Sequence, residues 1–290
     1  MARNKPNDLN IILDQFSTTD LKVWKKVYSQ YEEYDVRLFY QLEALRSLDH
    51  EKLCEALRNT NSVDIKEKNW WRIVDLKYAE QPLSSIGSFL NGARFNIGDN
   101  LENSNFNSFP ALYIAAGEET AQIEKFGKPQ TDTLDQNELA LRKPNSYVVL
   151  NLDVNLNNVF DLTKAINLKD FNKIISKYKV PEEISDIAKK IGLNKPQLIT
   201  KTADLKKMLL ANWRYFPVQF NLPAYSQMFG RLVKDAGYEG ILFPSTQKTN
   251  GKCLCVFPEN LNPSSEIKIS DDCPSFIKDN ILNIETWKES

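Results

Sequence analysis

The chain has 290 residues, 42% of them hydrophobic and 26% charged, a balance ordinary for a soluble globular protein and unlike that of fibrous or disordered chains. Its 37 basic and 38 acidic side chains leave a formal charge of −1, which speaks against a dedicated nucleic-acid binder whose affinity rests on neutralising phosphates. With one histidine, His50, Ser-His catalysis and histidine-rich metal sites have almost nothing to work with, and no metal is expected.

Residues Met1 to Asn7 are polar with no long apolar run behind them, and no stretch reaches the length and apolarity of a bilayer span. A cytoplasmic protein without membrane association is therefore expected. After Thr18-Thr19-Asp20, apolar residues recur three or four apart at Trp24, Val27, Tyr31, Tyr34, Leu38, Leu42 and Leu45, which predicts one long amphipathic helix. A shorter helix is expected around Glu51 to Leu57, and the polar run Arg58-Asn59-Thr60-Asn61-Ser62 then breaks the pattern like a linker. This places a boundary near residue 65, with residues 1–65 as a helical N-terminal module, 66–262 as the main domain and 263–290 as a polar tail. The tail carries a weak helical pattern at Phe276, Ile281 and Ile284.

From Trp70 onward short extended runs are separated by turns: Trp71 to Val74, Ala111 to Ala115, Tyr147 to Leu150, Gly240 to Phe243 and Leu254 to Phe257. Helices are predicted between them, from Glu118 to Phe126, as an insert from about Lys169 to Leu210, and from Leu222 to Ala236. The last has Tyr225, Phe229, Leu232 and Val233 on one face and a stop at Gly237. Inside the insert, Pro181 and Gly192 bracket a helix with Ile184, Ile187 and Ile191 on one face. Helices first, then strands with interspersed helices, favour an α+β class over a regular βαβ repeat. Cys54, Cys253, Cys255 and Cys273 lack zinc spacing, and Cys253 and Cys255 share one strand face. They read as buried free thiols.

Three segments set polar or charged residues beside strand-like sequence. In Asn91 to Gly98, glycines let a backbone approach a ligand closely and Arg94 offers a planar fork for a phosphate. The second is Phe109 to Ala116 followed by Glu118 to Glu124, and the third is Tyr238 to Ser245. Taken singly, each residue also has a plain reading: Arg94 as a surface arginine, Tyr113 as core, Glu124 as a solvated helix charge, Ser245 as a turn residue. The polar loop from Asp99 to Ser108 reads as tolerated surface or as a lid.

In this order the segments resemble the RES domain family. The resemblance rests on Arg72, then Gly92, Arg94, Phe95 and Asn96, then Leu112 and Tyr113, then Thr120, Ala121 and Glu124, then Gly240 and Ser245. Where the family often has a second glycine and a tryptophan, this chain has Ala93 and Phe95. The resemblance implies a fold similar to ADP-ribosyltransferases, with split antiparallel sheets and a helical insert, preceded here by the helical module. It implies an enzyme with NAD as substrate, cleaving the nicotinamide–ribose bond as a glycohydrolase or phosphorylase. It also implies a toxin context with a protein antitoxin as partner. Protein ADP-ribosyl transfer is an alternative within the enzyme class. A non-catalytic partner-binding protein on a degenerate RES scaffold, docking through the stripe of Trp24, Tyr31 and Tyr34, is an alternative from another class.

The bond in question breaks through an oxocarbenium-like ribosyl cation, and the resemblance distributes the work accordingly. Arg94 and Arg72 would hold the diphosphate, Tyr113 would pack against nicotinamide or ribose, and Asn96 would contact the substrate. Glu124 would accept a hydrogen bond from a ribose hydroxyl and stabilise the developing charge, and Ser245 would orient the ribosyl end. Glu118 and Glu119 are alternative carboxylates, with Glu124 preferred because it matches the Thr-Ala register.

Overall fold

The computed structural model describes residues 18–101, 106–127, 147–270 and 275–288. Met1 to Asn7, the middle of the Asp99–Ser108 loop, Cys273 and the Trp24 side chain lie outside that description. The helices are α1 (Thr18–Leu48), α2 (His50–Arg58), α3 (Ile86–Asn91), α4 (Glu118–Phe126), α5 (Lys169–Ile175), α6 (Glu182–Lys190), α7 (Thr202–Leu209), α8 (Tyr215–Phe220) and α9 (Tyr225–Asp235). The strands are β1 (Val63–Asp75), β2 (Leu112–Ala116), β3 (Tyr147–Asp161), β4 (Gly240–Pro244), β5 (Lys252–Val256), β6 (Glu266–Ile269) and β7 (Ile281–Leu282). None of the described helices is long and apolar enough to cross a membrane.

The chain divides into two compact units. The first is α1 together with residues 177–198. Tyr34 of α1 packs on Ile184 and Ala188 of α6, with Leu38, Ile187 and Ile191 around them, and the Tyr31 hydroxyl donates to the Ile191 carbonyl at 3.1 Å. Helix α6 begins after Pro181, carries Glu182 and Glu183 in its first turn and Lys189 and Lys190 in its last, a charge order that complements the helix dipole. Gly192, at φ +77°, ends it.

The second unit comprises Asp49–Ser176 and Ile199–Ser290. The boundary expected near residue 65 therefore falls elsewhere: the units change at Leu48, α2 belongs with the sheet, and Ile65 is a core residue inside β1. The polar run 58–62 is the turn between α2 and β1. Both β1 and β3 are far longer than their apolar centres suggested. In β3, Leu150, Leu152, Val154 and Leu156 are buried while the intervening Asn151, Asp153 and Asn155 are half-buried, the period-two pattern of a strand with one face on a core. β1 runs antiparallel to β3 along its length, with Trp70 opposite Leu152 and Asp75 opposite Tyr147. One extra residue in β1 between Glu67 and Trp70 makes a bulge, and Asn69 there takes φ +65°.

Pairings β1–β2, β2–β5, β5–β4, β4–β3 and β3–β1 close a ring of strands, and β6 and β7 add to the outer edge of β3. All strands belong to one seven-stranded sheet, and one pairing, β3 with β4, is parallel. Split antiparallel sheets were expected, and the one parallel pairing within a single sheet departs from that; the long helical connection between β3 and β4 is what permits a parallel return. The tail also departs from expectation. Its weak helical pattern is instead two strands and a short 3₁₀ turn, with Ile267 and Leu282 in the sheet's core. Helix α4 lies against β1 and β2, and α2 against α5 and α9.

Candidate active site

Arg72 sits in β1 one residue after Trp71, which pairs with Ala115 of β2. Its guanidinium donates to the carbonyls of Ser84 at 2.8 Å and Tyr113 at 3.2 Å, while its buried Nε has no partner. No carboxylate among the described residues pairs with it, and burial alone lowers its pKa to about 10. A buried cation without an anion is costly, so its presence in a cavity wall is informative.

Tyr113, on β2, uses its hydroxyl twice. It accepts from the Phe95 amide at 2.9 Å and donates to Asn96 Oδ1 at 3.0 Å, and burial holds its pKa well above the usual phenol value. Asn96 is wholly buried, and its Nδ2 donates to the carbonyls of Ser88 and Phe109. Its amide is thus saturated by protein groups. Gly98 belongs here because a Cβ would lie 2.1 Å from the Gly92 nitrogen. Two residues of α9 that sequence reasoning missed complete the clamp: Gln227 Nε2 donates to the carbonyls of Ala93 and Asn96, and Gly230 lies so close that a Cβ would stand 1.9 Å from the Phe95 oxygen. A glutamine and a glycine on the apolar side of a predicted helix were the available signal.

Arg94 points away from the expected role. Its Nη1 donates to the carbonyls of Leu210 at 2.8 Å and Ala211 at 2.7 Å, and its Nη2 to Thr246 Oγ1 at 3.1 Å. Burial lowers its pKa, and the negative charge of Glu124 opposes that shift.

Glu124, in the last turn of α4, is exposed and receives a hydrogen bond from Ser245 Oγ at 2.5 Å. The same Ser245 oxygen accepts from the amides of Gln247 and Lys248, so it organises the turn after β4 as well. Gly251 closes that turn, where a Cβ would meet Ser245 Cβ at 2.9 Å and Thr120 Cγ2 at 3.0 Å. The neighbouring carboxylates are engaged elsewhere, Glu119 with Lys248 and Glu118 with Gln122.

Two cavities meet at these residues. One of about 200 Å³ is lined by Trp71, Arg72, Tyr113, Glu124, Phe243 and Cys253 among others; one of about 270 Å³ is lined by Arg72, Asp75, Tyr78, Gln81, Ser84 and Tyr113 among others. Arg72, Ile73, Tyr113 and Lys125 belong to both. Arg94, Asn96 and Ser245 line neither. Burial and then the Glu124 charge push the pKa of the Cys253 thiol up. His50 lies on α2, 3.0 Å from Asp235, and lines neither cavity.

The RES domain model matches residues 69–277, most of the chain, and the chain belongs to that family. Among solved structures it is similar to the M. tuberculosis MbcT–MbcA toxin–antitoxin complex, at 14% identity and a TM-score of 0.41, over 82% of this chain and 95% of that one. No curated protein matches it.

Proposed function

We propose that this protein consumes NAD by breaking the bond between nicotinamide and ribose, as a glycohydrolase or phosphorylase. The observation that carries the reading is the guanidinium of Arg72, buried without a carboxylate on the wall common to two cavities, one of which holds Glu124. A dinucleotide has the matching form: two base–ribose halves joined by a diphosphate. The diphosphate lies by Arg72, whose uncompensated charge it neutralises. The nicotinamide–ribose half enters the cavity lined by Glu124, Trp71 and Phe243.

Ser245 fixes one oxygen of Glu124, and the other accepts a hydrogen bond from a ribose hydroxyl. As the C1′–N bond breaks, nicotinamide leaves with the bonding pair and positive charge spreads over C1′ and the ring oxygen, where the carboxylate stabilises it. Water, which gives up a proton to solvent, or an anionic oxygen of inorganic phosphate then bonds to C1′. Tyr113 contributes its ring face, since its hydroxyl is already used, and Arg94 and Asn96 act as positioning residues that hold the walls. Depletion of NAD in this way would make the protein a growth-inhibiting toxin controlled by a protein antitoxin, as the family resemblance suggests.

Purified protein incubated with NAD should release nicotinamide, and Glu124→Gln should lower turnover by a factor on the order of 10² to 10³ while keeping the fold. Free ADP-ribose marks water as acceptor, dependence on phosphate marks a phosphorylase, and label on a protein marks transfer. Folded wild-type protein that releases no nicotinamide would overturn the proposal.

A further inference from the structure

We infer that Lys125 is a second diphosphate-binding residue, held by Asp75 on the wall common to the two cavities. The inference rests on the NAD reading above and adds to it. Arg72 supplies charge at that wall, but its two Nη groups already donate to the carbonyls of Ser84 and Tyr113. A diphosphate presents several acceptor oxygens, so further donors are needed. Lys125 is the other cation that lines both cavities. Its ammonium carries three hydrogens, of which the pair with Asp75 Oδ1, at 2.8 Å, uses one.

The two cavities differ in the way the two halves of the substrate do. The Glu124 cavity has Trp71, Ile114, Ala115 and Phe243 beside its one carboxylate. The other has its carboxylate, Asp75, paired with Lys125 and offers hydroxyls, an amide and the ring of Tyr78, itself 41% exposed, which suits an adenosine. Lys125 follows Glu124 directly in α4, so one helical turn delivers the carboxylate to the ribose and the ammonium to the phosphates. A lysine in a last helical turn also complements the helix dipole; that role would appear in stability and leave substrate affinity unchanged.

The test compares wild type with Lys125→Met, Lys125→Arg and Asp75→Asn, measuring kcat and KM for NAD, the Kd for ADP-ribose by calorimetry, and Tm. Lys125→Met should raise KM and Kd about tenfold, the effect of one partly solvated charge-assisted contact, with kcat held within about twofold. Lys125→Arg should recover most of the affinity, and Asp75→Asn should lose about threefold. Unchanged KM and Kd in Lys125→Met, or a loss confined to kcat or Tm, would overturn the inference alone. A wild type that binds ADP-ribose without releasing nicotinamide overturns the proposed reaction, and the Kd ratio still decides the role of Lys125. A wild type that does neither overturns both.

Discussion

Along the segment Asn91 to Gly98, the side chains that mark the family are committed to protein: Arg94 to the carbonyls of 210 and 211, Asn96 to Ser88, Phe109 and Tyr113. Along β1, Arg72 donates to the carbonyls of Ser84 and Tyr113, meets no carboxylate among the described residues and keeps a buried Nε without a partner.

 Both arginines bear the cost of leaving water; Arg94 offsets it with three hydrogen bonds and the nearby charge of Glu124, Arg72 with two carbonyls and no opposite charge. On the function proposed above, the contrast separates a residue that holds the walls from one that binds the substrate, although the two look alike as sequence.

The largest effect that can break this contrast is expected at Arg72. Arg72→Met should lower kcat/KM for NAD by about 100-fold or more, through loss of the diphosphate contact. It should change stability by no more than about 1 kcal/mol, because relief of an unpaired buried cation offsets the two carbonyls left bare. A large drop in Tm without a change in kcat/KM would exchange the roles of the two arginines. Arg94→Met should do the reverse, costing about 2 kcal/mol in denaturant unfolding as three hydrogen bonds are lost, with a smaller fall in activity.

Tyr113→Phe sharpens the same point, since it strips the hydroxyl from Phe95 and Asn96 and keeps the ring. It should destabilise by about 1 kcal/mol and leave turnover within a few-fold; an activity loss as large as that of Arg72→Met would return the hydroxyl to the substrate. The smallest effect is one of pH. ADP-ribose needs Arg72 protonated, so its affinity should weaken as pH rises through about 10, and calorimetry in Arg72→Met should show that component gone.

Much of the fold could be read in advance because burial leaves a pattern: Tyr34 with Ile184, or Phe229 with Leu232 and Val233, stand where their spacing put them. The missed portions of β1 and β3 are polar on one face, so Asn151, Asp153 and Asn155 disguised a strand as loop. The tail was missed because β6 and β7 are short, β6 pairs with β3 more than a hundred residues earlier in the chain, and β7 pairs in turn with β6. At the site, residue types were legible and their partners were not. Nothing local to Arg94 announces the carbonyls of Leu210 and Ala211, and Gln227 acts on a loop that no short-range pattern connects to it.

The closed ring of strands has a consequence for the nascent chain. Arg72, Tyr113 and Glu124 are all synthesised before β3, but the cavity beside Glu124 also takes its wall from Phe243 and Cys253 on β4 and β5. Until those late strands leave the ribosome and slot between β2 and β3, the cavity beside Glu124 is incomplete. Translation halted before them yields a polypeptide that carries Arg72, Tyr113 and Glu124 without the cavity they line.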